Sequence, residues 1–194
     1  EVLEGIELLG FREPTSIQSA VIPFILEEKR DLVALGQTGT GKTGAFGLPI
    51  IETIDLQSRK TQALILCPTR ELCIQIAHDI GSFSKKLPSL RTLALCGGAD
   101  IRPQLAGLDR GAQIIVATPG RLLDLLRTRK AKLFAVERVV LDEADEMLNM
   151  GFEEDLNSIL DEVPKAAQRL LFSATMPQRV MRLMHNYMND PHEI

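Results

Sequence analysis

One stretch, Gly36-Gln37-Thr38-Gly39-Thr40-Gly41-Lys42-Thr43, constrains this chain more than any other. An apolar run over 31–35 precedes it and a helix-like segment over 44–54 follows it. The spacing is the P-loop pattern G-x-x-x-x-G-K-[ST], in the strand–turn–helix setting that pattern requires. Its physics lies in the backbone: successive N–H groups of a Gly-rich turn, backed by a helix N-terminus, can surround a polyphosphate. Gly39 and Gly41 let the chain turn, Lys42 supplies an ammonium for the β- and γ-phosphates, and the Thr43 hydroxyl can take one coordination position on Mg²⁺. The residues therefore predict nucleotide binding, and a strand-led α/β fold with it.

Length and composition agree. The 194 residues, 45% hydrophobic and 25% charged, suit one α/β domain with a large core. No apolar run is long enough to span a bilayer and the N-terminus lacks the basic start of a secretory signal, so a soluble, intracellular, cytoplasmic chain is expected. Cys67, Cys73 and Cys96 form no C-x-x-C pair and no even disulfide set, and read as buried thiols of a reducing compartment. A net charge of −4 excludes a broad basic face for nucleic acid, leaving local contacts.

From residue 31 onward, apolar runs alternate with amphipathic segments. Strands are predicted over 32–35, 63–67, 92–95, 113–117, 138–141 and 169–172, with helices over 44–54, 71–84, 101–108, 120–127, 153–163 and 178–188. Short continuous apolar strands between helices indicate a mostly parallel sheet covered on both faces, as one domain over 1–194. Upstream, a helix over 1–9 is broken at Gly10, and Pro14 with Thr15 or Ser16 starts another that runs to about Glu28. Gln18 and Phe11, seven residues apart, can serve as an amide reader and a stacking plate for a purine; a capped helix with a surface Gln is the plainer reading.

In such a sheet, ligands bind beyond the carboxyl ends of the strands. The exits carry the P-loop, Pro68-Thr69-Arg70-Glu71, Gly97-Gly98, Thr118-Pro119-Gly120-Arg121, Asp142-Glu143-Ala144-Asp145 and Ser173-Ala174-Thr175. Asp142 emerges at a strand tip, where an acid can hold the Mg²⁺ bound by Thr43, directly or through water, and Glu143 can orient or deprotonate the attacking water. An acidic pair there can also cap a helix, but the upstream P-loop favours the metal-and-water role. The other exits offer N–H groups, hydroxyls and two guanidiniums suited to phosphate oxygens rather than base edges; each has a plain alternative in turn or cap chemistry.

Taken in order and spacing, these stretches, with Gly10-Phe11, Pro14-Thr15 and Ile17-Gln18, resemble the amino-terminal RecA-like motor domain of a DEAD-box RNA helicase over nearly the whole chain. Residues 142–152 look like its bacterial cold-shock branch. The resemblance implies that Gln18 recognises adenine, selecting ATP over GTP, that Phe11 stacks on the base, and that Gln37, Thr38, Gly39, Thr40, Gly41, Lys42 and Thr43 hold the phosphates. Asp142 would bind Mg²⁺ through water and Glu143 would be the catalytic base. Ser173 and Thr175 would couple nucleotide state to RNA through Asp145. Thr69, Arg70, Gly98, Thr118, Gly120 and Arg121 would contact the RNA sugar-phosphate backbone, and the helix after Arg121 would bend the strand, separating a duplex locally. The family often has Ala at the position of Gly36, and its second RecA-like domain, with its arginine finger, is missing from this chain; an excised, monomeric, nearly inactive domain is expected.

Three rivals remain. A GTPase lacks support, because no Asn-Lys-x-Asp guanine reader is present. A DNA helicase or transporter-type ATPase shares the P-loop and acidic pair. A nucleotide-gated RNA clamp without productive unwinding is the non-enzyme reading.

Overall fold

The computed structural model describes residues 13–37 and 39–194. The expected helix over 1–9, Gly10, Phe11 and, within the P-loop, Thr38 lie outside the described residues. In chain order the elements are α1 (Ser16–Glu27), β1 (Leu32–Leu35), α2 (Lys42–Thr53), β2 (Ala63–Leu66), α3 (Arg70–Phe83), β3 (Thr92–Leu95), α4 (Ile101–Arg110), β4 (Ile114–Ala117), α5 (Pro119–Arg127), β5 (Arg138–Leu141), α6 (Ala144–Asn149), α7 (Glu153–Asp161), β6 (Gln168–Ser173), α8 (Gln178–Tyr187) and β7 (His192–Glu193).

The strands form one sheet in the order β3-β4-β2-β5-β6-β1-β7, and every pairing is parallel. Strands β2 and β4 and most of β5 and β6 are fully buried, because helices cover both faces; this is why their sequences read as unbroken apolar runs. Alternation along each strand divides the core in two. Leu64, Leu66, Ile115, Val139 and Leu171 face a core shared with α5, α6, α7 and α8, while Ile65, Ile114, Val116, Val140 and Leu170 face one shared with α1, α2 and α3. The three cysteines are free and buried. Among the described residues no helix is long and apolar enough to cross a membrane.

Within the described residues the expected strands and helices form, with ends displaced by no more than two residues. Helix α2 begins at Lys42, inside the P-loop, and β6 runs from Gln168 to Ser173, a residue longer at each end than expected. Two elements were not expected. Helix α6 has six residues, too few to show a helical period, and β7 has only the polar pair His192-Glu193, which is strand solely because β1 supplies its partner.

Candidate nucleotide and phosphate-binding edge

The strand order divides the carboxyl edge of the sheet into two neighbouring halves. The exits of β5, β6 and β1 carry the acidic pair, Ser173-Ala174-Thr175 and the P-loop; those of β3, β4 and β2 carry Gly97-Gly98, Thr118 to Arg121 and Thr69-Arg70.

In the first half the chain leaves β1 with Gly36 N–H donating to Ser173 O at 3.0 Å, which ties the start of the P-loop to β6. The loop closes on itself through Thr40 Oγ1, which donates to Gln37 O at 2.9 Å. Gly39 and Gly41 take φ of 81° and 90°, which a side chain tolerates poorly. A Cβ at Gly41 would also lie 2.7 Å from Gln18 Nε2, so a side chain there would have to displace the Gln18 amide.

That approach exists because Gln18 is not a surface residue. Thr15 and Gln18 form a reciprocal capping box: Gln18 N–H donates to Thr15 Oγ1 at 3.5 Å and Thr15 N–H to Gln18 Oε1 at 3.0 Å. Gln18 Nε2 then donates to Gly41 O at 3.1 Å, and Thr15 Oγ1 to Thr40 O at 3.0 Å. The capped-helix reading is correct about the cap and wrong about the surface: the side chain is buried and braces the phosphate loop. One amide hydrogen and one carbonyl lone pair of Gln18 remain for a further partner. The sequence presents Thr15 as a cap; its second task follows from the T-x-x-Q spacing, which puts both side chains on one helix end.

Lys42 is buried, and its Nζ lies 3.3 Å from Asp142 Oδ1, an ion pair of two buried groups. Nζ has no hydrogen-bonding partner of good geometry among the described residues, so its ammonium hydrogens are largely unsatisfied. Burial pushes the Asp142 carboxyl above the ordinary carboxylate range, and the charge of Lys42 together with the Glu143 N–H, which donates to Oδ1 at 3.0 Å, opposes the rise. Burial and then the neighbouring Asp142 charge also raise Glu143, whose backbone sits in the left-handed region at φ 53°. Thr43 is half-buried at the first turn of α2.

Asp145, Ser173 and Thr175 form one network. Thr175 donates to Asp145 Oδ2 through its N–H at 2.9 Å and its hydroxyl at 2.7 Å. Asp145 N–H donates to Ser173 Oγ at 3.3 Å, and Ser173 Oγ–H to Thr175 O at 2.7 Å. Burial alone would raise the Asp145 carboxyl, but the hydrogen bonds from Thr175 and Ser173 outweigh it and hold it below its usual range.

In the second half, Thr69 caps α3 by accepting the Leu72 N–H at 3.3 Å. Thr118 precedes Pro119 at the start of α5 but makes no side-chain cap bond. Arg70 Nη1 donates to Gly98 O at 2.9 Å, and Arg121 Nη2 to Ala99 O at 3.3 Å. Both guanidiniums thus converge on the loop after β3, Gly98 holding φ 69° there. Arg121 Nη1 is buried with no partner among the described residues. Gly120 borders this strip, a Cβ there coming within 3.7 Å of Asp155 Oδ2. Of the residues expected at the site, those that are described lie together along this one edge; Phe11 and Thr38 lie outside the described residues. Ala99 went unnoticed in the sequence because its contribution is a backbone carbonyl, which no residue type announces.

Known proteins align with this arrangement over most of its length. A family model described as DEAD/DEAH box helicase matches residues 15–183. An ATP-dependent RNA helicase CshA of Listeria monocytogenes is 50% identical over 191 residues, which is 98% of this chain and 36% of that protein. An ATP-dependent RNA helicase DeaD of Mycobacterium tuberculosis is 48% identical over 193 residues, covering 100% of this chain and 34% of that one. Among solved structures, a DEAD box protein from the hyperthermophile Methanococcus jannaschii superposes with a TM-score of 0.93 at 43% identity, across 100% of this chain and 52% of that chain. The chain spans about a third of the length of these curated relatives.

Proposed function

Since this chain belongs to the DEAD/DEAH box helicase family, we propose that it is the first RecA-like domain of an ATP-dependent RNA helicase, binding ATP-Mg and the RNA sugar-phosphate backbone. The observation that carries this reading is the buried Lys42–Asp142 pair at 3.3 Å beside the P-loop, an ion pair whose ammonium has no well-formed hydrogen bond among the described residues and whose carboxylate is destabilised by burial. Such a pair is poised for exchange: an incoming triphosphate gives Lys42 better acceptors, and Asp142 is freed for a cation.

The donor chemistry fits Mg²⁺, because Thr43 and Asp142 offer only oxygen. When bound, the ion neutralises charge on the β- and γ-phosphates. Lys42 then releases Asp142 and turns to phosphate oxygens, and Glu143 orients the attacking water and accepts its proton. A Glu143 pKa above the ordinary range favours that acceptance. Gln18, already bonded to Gly41 O, reads adenine with its remaining donor and acceptor, so base recognition bears directly on the loop. Phe11 would stack on the base. Asp145 reports a shift of the acidic segment to Ser173 and Thr175. Thr69, Arg70, Gly98, Thr118, Gly120 and Arg121 hold RNA phosphates and sugars, which fits a sequence-independent grip.

Strand separation and fast turnover require a second RecA-like domain of the full-length protein, and this chain alone hydrolyses ATP slowly. Loss of an arginine finger costs roughly 10³ to 10⁵ in rate in related phosphoryl-transfer enzymes. The test is calorimetric titration with Mg-ADP and Mg-GDP, repeated on Gln18→Ala and Lys42→Ala. ADP should bind more tightly than GDP and weaken in both variants. Equal binding of both nucleotides, indifferent to Gln18, overturns the adenine assignment.

A further inference from the structure

Strand β3 ends the sheet on the side away from β7, and its free edge is open. Its register with β4, and the acceptance of Ile114 N–H by Arg91 O and of Thr118 N–H by Leu95 O, put the hydrogen-bonding groups of Arg91, Leu93 and Leu95 toward β4. Those of Thr92 and Ala94 therefore point outward, and among the described residues nothing bonds to their N–H or C=O groups. Helices α3 and α4 flank this edge on opposite faces, which makes it a slot.

The slot is a cavity of about 540 Å³. Small residues leave the room: a Cβ at Gly81 of α3 would meet nothing within 4 Å. Its floor is apolar, with Leu87, Leu90 and Leu93, and the Thr92 hydroxyl is buried there with no partner among the described residues. Its charged lining is wholly basic, namely Lys85, Arg91 and Arg110. None of the three joins an ion pair among the described residues; Arg91 Nη1 and Arg110 Nε instead donate to the backbone carbonyls of Arg110 and Ala106. In a chain of net charge −4 this is a local inversion of sign.

We propose that this slot binds an extended acidic segment of a partner protein, added to the sheet as a strand beside β3. The main chain of such a segment matches the four outward groups of Thr92 and Ala94, its alternate apolar side chains meet Leu87 and Leu90 on the α3 face, and its carboxylates meet Arg91 and Arg110 on the α4 face. Nucleic acid fits less well, because the lining has no aromatic plate for a base and its floor is apolar. The slot opens near the start of β3, at the opposite end of the strand from the phosphate-binding edge, so a segment there leaves that edge free.

The test uses this chain and a fluorescein-labelled octapeptide of alternating valine and aspartate, followed by fluorescence anisotropy at low salt and by amide exchange. The peptide should bind saturably, about tenfold more tightly than its valine–lysine counterpart or a version N-methylated at alternate amides, as two or three cross-strand and ionic contacts together allow. Exchange at Thr92 and Ala94 should slow. Gly81→Leu should fill the slot and abolish binding without lowering Tm, since leucine also favours the helix, and Lys85→Glu with Arg110→Glu should weaken binding. Absence of saturable binding, indifference to Gly81→Leu, or displacement by an oligouridylate of equal charge would each overturn the proposal.

Discussion

Lys42 and Asp142 show how little a residue type says about its energetic state. Each is buried and each carries a charge that burial disfavours, so each is tolerable only beside the other. Removing one partner leaves an uncompensated ion, and Lys42→Ala should destabilise the nucleotide-free chain by about 3 kcal/mol near pH 7. The sign of the pH dependence follows from Asp142. Its carboxyl is already above its usual range in the folded state, and loss of Lys42 raises it further. A raised folded pKa means stability present at low pH and lost as pH rises through that value, so the gap between variant and wild-type Tm should narrow as pH falls from 7 toward 5. A gap independent of pH would mean that Asp142 is not the group left unpaired. The residue types and their spacing at this point were legible in the sequence; the 3.3 Å pair was not, because one partner leaves β5 and the other begins α2.

Helix α4 meets β3 at Gly107, where a Cβ would lie 2.5 Å from Leu93 Cδ1. The glycine is there for clearance, and Gly107→Ala should overpack the contact at a cost of about 1–3 kcal/mol, read by chemical denaturation. Adding Leu93→Ala should recover part of that loss, because the second change vacates the space the first one fills; simple addition of the two costs would show that the clash is relieved elsewhere. At the same scale, α6 and β7 mark where sequence reading stopped. Six residues cannot display a helical period and two cannot display alternation. Both are set by neighbours: α6 by the Asp145 network that joins it to Ser173 at the end of β6 and to Thr175 just beyond, and β7 by pairing with β1. The longer elements were legible, since burial on both faces leaves an apolar record in every strand.

At the scale of the molecule, nucleotide binding should be a folding ligand. The groups that would hold it come from α1, the P-loop, α2 and the turn after β5, so Mg-ADP at 100 times its Kd should add about 2.7 kcal/mol and raise Tm by about 5–10 °C. Mg-GDP at the same concentration should raise it less, and an unchanged Tm with both would refute a nucleotide site on this chain. The amino-acid sequence by itself determined that this is a P-loop α/β chain with a strip of polar strand exits, because those features are local: a turn needs its glycines, a buried strand its apolar run, a helix start its cap. Only the tertiary structure decided the order of the strands, which sets the phosphate-loop exits and the Arg70–Arg121 exits as adjacent halves of one edge. It also buried Gln18 against Gly41, placed Lys42 on Asp142 and left one edge of β3 open. The physical reason is common to all of these: each depends on groups far apart in the chain, and the packing of the two cores, which no local pattern encodes, brings them together.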